Sequence, residues 1–249
     1  MLGLPMRFVF ALPAMLLLTV AGCTPRPSSF DVPDPAPVDR TGWSAAPTRS
    51  MADNGPIRHV TVHHTYTEVG PDGEAAHVRA IQTMHQGGER QWGDIAYHYL
   101  IGPSGTVYVG RDEAFVPASG TVYLPDALRD AAGQDSLGGT TITTPPEEAG
   151  TPMTPPGASA GHITISVIGN YEEALPPPAQ RTALVRLVAD RLHAHGLTVD
   201  DVRFHREVAV GTACPGQALY DWFRGPTRTH PNRGDGLRQV EVALAVLQD

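Results

Sequence analysis

The sequence predicts a mixed α/β fold in which a central, mostly β-sheet is flanked by helices. Short β-branched runs, such as Ile57–His63 and Ile163–Ile168, alternate along the chain with segments that repeat apolar residues at helical spacing, such as 179–195. Hydrophobic residues make up 41% of the 249 residues, which can fill the core of one domain with additional segments. Because strands and helices are intermixed, we expect one main sheet.

The predicted elements follow one another from Pro56 onward. The alternating run Ile57–His63 predicts the first strand, and residues 77–92 predict a helix. Two strands, Ile95–Ile101 and Thr106–Val109, are joined by a Gly-Pro-Ser-Gly turn. The apolar face of the predicted helix consists of Val78, Ile81, Met84 and His85.

Further elements are predicted in the second half of the chain. Ile163–Ile168 has the continuous apolar character of a buried central strand. A helix follows over 179–195, and 217–223 predict a short one. We expect residues 226–249 to form a tail with an amphipathic helix. The apolar residues of that helix are Leu237, Val240, Leu244 and Leu247.

Residues 1–22 have the features of a signal peptide. Arg7 is the only charge before the apolar run Phe8–Ala21, which is short for a membrane-spanning helix. The following Cys23 ends a Val-Ala-Gly-Cys sequence that resembles the lipobox of bacterial lipoproteins, in which the cysteine is lipidated. The alternative is an ordinary secretory signal with a chance cysteine. We expect an exported protein, lipid-anchored to the cell envelope, on the periplasmic side of the outer membrane if the cell is Gram-negative.

The composition divides the rest of the chain into a tether and one domain. Proline recurs over residues 23–54 without apolar periodicity, which predicts a spacer that holds the domain off the membrane. We expect the domain to span 55–225, with a Pro- and Gly-rich loop insertion over 112–160. The net charge is −8, from 18 basic and 26 acidic residues, which argues against a nucleic-acid-binding surface.

Two histidines and one cysteine form a candidate metal site. His63 ends the first strand, His205 follows the strand-like run Val202–Phe204, and Cys214 lies in a Cys-Pro-Gly turn. A lone cysteine can be an inert core residue, a nucleophile or a metal ligand. Two imidazoles and one thiolate match three-ligand zinc sites that keep a fourth position open.

Several motifs follow one another in a fixed order along the chain. They are His63-His64-Thr65, Asp94 to Tyr99, Gly105 to Arg111, Ser166 to Tyr171, Phe204-His205-Arg206 and Thr212 to Gly216. In this order they resemble the zinc N-acetylmuramoyl-L-alanine amidases and the peptidoglycan recognition proteins over residues 56–223, except 112–160. The resemblance implies a single domain with a central mixed sheet and a zinc ion in a groove across one face.

The resemblance also implies roles for individual residues. Tyr97 matches the family tyrosine beside the metal, and Thr212 stands where phage-type amidases have lysine and the recognition-protein branch commonly has threonine. As candidate catalytic residues, both can donate a hydrogen bond to an oxyanion, although Tyr97 can also be a buried strand tyrosine and Thr212 a turn residue. Ser166 stands where another branch has glutamate, so we assign no carboxylate base. The implied zinc ligands are His63, His205 and Cys214.

Three further residues are candidates for substrate binding. His64 is expected in the groove wall or behind the metal ligands, because strand alternation turns it away from His63. Arg111 can pair with a stem-peptide carboxylate or be a plain surface arginine. Asn170 can contact substrate or cap a turn.

The resemblance implies a zinc-dependent hydrolase that acts as a monomer. Its reaction would cut the amide between N-acetylmuramic acid and L-alanine in peptidoglycan or muropeptides. The alternative is a peptidoglycan-binding protein without turnover, but recognition proteins that only bind generally lack the cysteine ligand, and Cys214 is present. A weaker possibility is a different zinc hydrolase on the same scaffold.

Overall fold

The structure is a computed structural model that describes residues 36–118, 160–209, 211–226 and 232–248. The predicted signal peptide, Cys23, the first part of the predicted tether and residues 119–159 of the predicted insertion lie outside the described residues. Among the helices that are described, none has both the length and the apolar content needed to cross a bilayer.

A mixed sheet forms the centre of the domain. Its strands are β1 (His59–His64), β2 (Tyr99–Ile101), β3 (Val107–Val109), β4 (His162–Val167) and β5 (Val202–Phe204). They lie in the order β3-β2-β4-β1-β5, with β1 parallel to both β4 and β5, and β2 parallel to β4 and antiparallel to β3. Every residue of β1 and β4 is buried, as expected for strands covered on both faces. The predicted fold class is confirmed.

Helices flank this sheet. They are α1 (Glu74–Gln86), α2 (Pro178–Ala194), α3 (His205–Val208), α4 (Gln217–Arg224) and α5 (Asp235–Gln248). Helix α2 begins at a proline, whose fixed φ and missing N–H suit the first helical position. Helix α5 packs against α2 and buries Leu237, Val240 and Leu244. The predicted C-terminal tail is therefore corrected, because its helix is an integral part of the domain.

Two predicted elements are shorter than expected. Helix α1 ends at Gln86, before two glycines, and its Met84 is 46% exposed instead of lying on the buried face. Strand β2 begins at Tyr99 and not at Ile95, because the backbone N–H groups of Ile95 and Ala96 bond to the side chains of Asp94 and His85. These N–H groups are therefore not available to a neighbouring strand.

The segment 36–54 is packed onto the domain, so the prediction that the tether extends to residue 54 is wrong. Val38 exchanges backbone hydrogen bonds with Val107 and Val109 and covers the free edge of β3. Trp43 is 1% exposed, and its indole N–H donates to the Val109 carbonyl at 2.8 Å. The proline-rich composition is overridden by tertiary contacts, because the backbone bonds of Val38 and the burial of the Trp43 ring together hold the segment on the domain.

Candidate metal centre and active site

The sheet brings two histidines together at one edge. His63 lies near the carboxyl end of β1, and His205 is the first residue after β5, which runs parallel to β1. Because carboxyl ends of neighbouring parallel strands meet at the same edge, the imidazole rings lie with centroids 4.4 Å apart. Both residues are buried. The predicted pairing of these histidines is therefore present in the structure.

A loop after α3 carries Cys214 to the same place. The Arg206 backbone N–H donates to the Cys214 carbonyl at 2.9 Å, and the Arg206 guanidinium donates to the Ala213 carbonyl at 2.6 Å. The His64 backbone N–H lies 3.3 Å from the Cys214 Sγ and points to it. Gly216 has φ +94°, and a Cβ there would overlap the backbone of Tyr171. The Cys-Pro-Gly turn is thus fixed from both sides.

The three side chains fit a zinc ion. One ligand atom from each of His63, His205 and Cys214 lies within 4.8 Å of the others. Zinc–sulfur and zinc–nitrogen bonds of about 2.3 and 2.05 Å at a tetrahedral angle would place such atoms roughly 3.6 Å apart. The Cys214 Sγ and His63 Nδ1 are 3.7 Å apart. Within the described part of the chain, no other group of three potential ligands converges in this way.

Burial determines the protonation of these three groups. It holds the pKa of His63 well below its usual range and lowers the pKa of His205 to about 3, so that both imidazoles are neutral and able to ligate. Burial also raises the pKa of the Cys214 thiol to about 12, an effect that the His64 N–H opposes. A bound cation stabilises the thiolate, because it supplies the positive charge that this interior lacks.

Tyr97 lies beside the metal ligands. Its ring centroid is 5.5 Å from that of His63, and the two rings are tilted by 54°. Burial raises the pKa of Tyr97 above its usual range, and the proximity of Cys214 adds to this effect. The hydroxyl is therefore protonated at neutral pH and can donate a hydrogen bond into the site.

Thr212 supports the cysteine loop directly. Its Oγ1 accepts a hydrogen bond from the Cys214 backbone N–H at 3.2 Å, as in a serine or threonine turn. This contact matches the turn alternative. The hydroxyl proton of Thr212 is a separate donor, so the contact does not exclude the oxyanion role.

The three predicted substrate-binding residues differ in position. His64 is buried behind the ligands and its Nδ1 accepts the Tyr171 N–H at 3.3 Å, although its backbone also contacts Cys214. Asn170 is exposed, and its side-chain oxygen accepts the Glu172 N–H at 3.2 Å, so it caps a turn.

Arg111 requires a correction. It is 4% exposed, and its guanidinium donates to the backbone carbonyls of Ile95, Val116 and Asp94. It is therefore neither a surface arginine nor placed to meet a stem-peptide carboxylate. Its guanidinium joins the segment that precedes Tyr97 to the backbone at Val116, and its own backbone N–H donates to the Tyr97 carbonyl at 2.8 Å.

Two residues at the site were not predicted. The sequence predicts His85 only as part of the apolar face of a helix, but in the structure its ring lies 5.9 Å from that of Tyr97 and its Nδ1 accepts the Ala96 N–H, so it supports the tyrosine. Arg206 holds the cysteine loop as described above. Its position directly after a candidate ligand was the only sequence signal, because its contacts form across a loop that only the fold closes.

Sequence comparison relates the chain to known proteins. A family model described as N-acetylmuramoyl-L-alanine amidase matches residues 53–217. Human N-acetylmuramoyl-L-alanine amidase is 30% identical over 197 residues, which cover 76% of this chain but only 28% of the human protein. The matched region is likewise 30% of the mouse amidase and 28% of the pig amidase. Peptidoglycan recognition protein 1 of Bos indicus is 29% identical over 187 residues, covering 74% of this chain and 80% of that protein.

Structure comparison supports the same fold. Drosophila peptidoglycan recognition protein SD matches with a TM-score of 0.57 at 23% identity, covering 81% of this chain and 98% of that chain. Wild-type Drosophila PGRP-LB matches with a TM-score of 0.56 at 25% identity, covering 79% and 98%. Since the family model also spans more than half of the residues, this chain belongs to the N-acetylmuramoyl-L-alanine amidase family.

Proposed function

We propose that the protein hydrolyses the amide bond between N-acetylmuramic acid and L-alanine in peptidoglycan or muropeptides, with zinc as its cofactor. The observation that carries the proposal is the convergence of His63, His205 and Cys214 within 4.8 Å in a chain of this family. Relatives named as amidases and as recognition proteins support peptidoglycan or its fragments as the partner.

The residues divide the chemistry among them. His63, His205 and Cys214 would hold the zinc ion, which would supply a Lewis acid and lower the pKa of a water molecule. The Tyr97 hydroxyl donates a hydrogen bond toward the oxyanion that develops when the amide carbonyl is attacked. The Thr212 hydroxyl proton can assist from the cysteine loop. The neutral imidazoles and the loop contacts of Arg206 keep the ligand set in place before substrate binds.

Peptidoglycan binding without turnover is the second candidate. It is favoured by the engagement of Thr212 in the Cys214 turn and by relatives named as recognition proteins. Intact sacculi and soluble muropeptides, digested with zinc-loaded and chelated protein, separate the two functions. Free stem peptide, identified by mass spectrometry and abolished by chelation, is expected. Binding of sacculi without any peptide release would leave only the recognition function, and a different cleaved bond would indicate another hydrolase.

We further propose that Cys23 carries lipid and anchors the domain to the cell envelope, at the outer membrane if the cell is Gram-negative. The Val-Ala-Gly-Cys sequence after an apolar run supports this proposal. Cys23→Ala is expected to leave an unlipidated precursor, which detergent partitioning and the mass of the N-terminal peptide can detect. An unmodified N-terminus at another residue in the mature wild-type protein would disprove the anchor.

A further inference from the structure

An aromatic side chain is exposed next to the metal centre. Tyr66 comes three residues after His63, is 63% exposed, and meets the ring of His64 edge-on with centroids 5.5 Å apart. His64 in turn directs its backbone N–H at the Cys214 sulfur. In space, His64 is therefore the one residue that connects Tyr66 to the candidate ligand Cys214. Most of the Tyr66 ring is open to solvent.

The backbone holds this ring in place at a conformational cost. Tyr66 has φ +60°, which is rare for a bulky residue. The conformation is fixed because the Tyr66 N–H donates to the Gly169 carbonyl at 3.0 Å, and the Gly169 N–H donates to the Thr65 hydroxyl at 3.1 Å. The strain is therefore offset by these backbone contacts and not by burial of the side chain, which leaves the ring free to contact a ligand.

The polar groups around Tyr66 indicate the ligand's chemistry. Glu68 accepts the Asn170 N–H at 3.2 Å, and Asn170 follows Gly169, which accepts the Tyr66 N–H. Glu172 accepts the Gln217 N–H at 3.2 Å, so hydrogen bonds hold both carboxylates in position. Glu172 directly follows Tyr171, whose N–H donates to the His64 Nδ1 at 3.3 Å, and the rings of His64 and Tyr66 meet edge-on. The guanidinium of Arg206 is bonded to Ala213 and Gln217. This rim thus combines an aromatic face with hydrogen-bond acceptors and excess negative charge.

We propose that Tyr66 is a stacking platform for a sugar ring of the substrate, an inference that rests on the proposed function. A pyranose offers a flat C–H face to an aromatic ring and hydroxyl and acetamido donors to carboxylates. A stem peptide carries carboxylates of its own, which Glu68 and Glu172 would repel. The glycan side of the scissile amide therefore lies over Tyr66, and the peptide side lies away from this rim.

Binding of two defined probes tests the proposal. The first is N-acetylglucosaminyl-N-acetylmuramoyl-peptide, and the second is the D-lactoyl-peptide, which keeps the scissile amide but has no sugar. Tyr66→Asn removes the ring with a residue that tolerates positive φ, and Tyr66→Phe keeps the ring. Val242→Asn is the matched control, because Val242 is 57% exposed on α5. Dissociation constants are measured by calorimetry in zinc-loaded proteins that all carry Tyr97→Phe, because this change is expected to slow cleavage of both probes about 10²–10³-fold without weakening binding. Peptide release is followed separately with Tyr97 intact.

Tyr66→Asn is expected to weaken binding of the disaccharide peptide about tenfold and to leave binding of the lactoyl-peptide unchanged. Tyr66→Phe is expected to restore most of the affinity. Equal losses for both probes, or no loss for either, would overturn the platform. If neither the wild type nor any variant releases peptide, but Tyr66→Asn still weakens binding of the disaccharide peptide alone, the proposed hydrolysis is wrong and the role of Tyr66 is retained.

Discussion

At the scale of single residues, the protonation state of the Cys214 thiol depends on its surroundings. Burial raises its pKa to about 12, while the His64 N–H lowers it, and no charged group directly contacts the sulfur among the described hydrogen bonds and ion pairs. The two imidazoles beside it are neutral. The thiol is therefore protonated at neutral pH in the absence of a cation, and a cation bound by the three candidate ligands would favour the thiolate.

Cys214→Ser is expected to lose zinc and peptide-releasing activity together, because a serine hydroxyl is a much poorer zinc ligand than a thiolate. Metal content by atomic absorption and peptide release are measured on the same preparation. Met84→Ala, at an exposed position on α1, is the control and is expected to keep both. A Cys214→Ser protein with full zinc and full rate would disprove the ligand assignment.

Tyr97→Phe is expected to keep zinc and substrate affinity, while kcat and kcat/KM fall together by about 10²–10³, the usual loss for one oxyanion donor. Steady-state kinetics with metal content provide the measurement. Tyr99→Phe is the matched control, since the Tyr99 hydroxyl donates to Glu113. If Tyr97→Phe raises KM and leaves kcat intact, the tyrosine binds substrate and does not stabilise the transition state.

Thr212→Val is expected to lower the rate less than Tyr97→Phe, because an aliphatic hydroxyl is a weaker hydrogen-bond donor than the more acidic phenol of tyrosine. It should also weaken zinc binding, because the Cys214 N–H loses its acceptor. Thr212→Ser keeps the oxygen and is expected to restore zinc affinity. Zinc dissociation constants of both variants, measured by competition with a chelator, test whether the Thr212 oxygen supports zinc binding. Unchanged zinc affinity in Thr212→Val would show that the turn contact does not support the metal site.

At the scale of elements, the loop between α3 and α4 depends on two anchors at its base. Arg206 bonds to Ala213 and Gln217, and its guanidinium lies 4.9 Å from the Tyr220 ring centroid. Behind it, the buried Glu207 pairs with Arg224 and accepts the Phe204 N–H. The first anchor fixes the cysteine and the second fixes the strand end that carries His205.

Arg206→Met is expected to lower zinc affinity about 10- to 100-fold, the range for loss of an outer-shell contact, because the cysteine loop loses two carbonyl contacts. The cobalt-substituted protein provides a second readout, since its thiolate-to-cobalt absorption band should weaken or shift. Arg191→Met, which removes an arginine from the Glu113 network, is the control. An unaltered cobalt spectrum and zinc affinity in Arg206→Met would show that the loop is held without this side chain.

At the scale of the whole molecule, the domain begins well before the family match. Trp43 packs in one core cluster with Val78, Ile95 and Leu100, although it lies in the proline-rich segment. Arg40 pairs with the buried Asp94 at 2.9 Å, and Asp94 precedes the stretch that carries Tyr97. The segment 36–54 therefore supports the stretch that carries Tyr97 as well as the edge of the sheet.

Trp43→Ala is expected to lower the free energy of unfolding by about 3–5 kcal/mol, the usual cost of truncating a buried tryptophan. Urea denaturation, followed by circular dichroism, measures the change, and deletion of residues 1–54 should be at least as destabilising. Val242→Ala, at an exposed site, is expected to stay within about 0.5 kcal/mol of wild type. A deletion variant as stable as the wild type would show that residues 36–54 are not needed by the folded domain.

The sequence by itself determined the local elements and offered three candidate metal ligands. β-Branched alternation located β1, an apolar β-branched run located β4, helical periodicity located α2 and α5, and residue chemistry singled out His63, His205 and Cys214 as candidates. These features depend on neighbours in the chain, so a linear pattern reveals them.

Only the tertiary structure decided what depends on contacts between distant segments. It buried Trp43 and Arg111, which the sequence had assigned to a tether and to a surface or substrate contact. It also joined Arg206 to the cysteine loop and turned the ring of Tyr66 outward. The physical reason is that a side chain's burial and hydrogen-bond partners are set by the packing of elements, which local propensity does not encode.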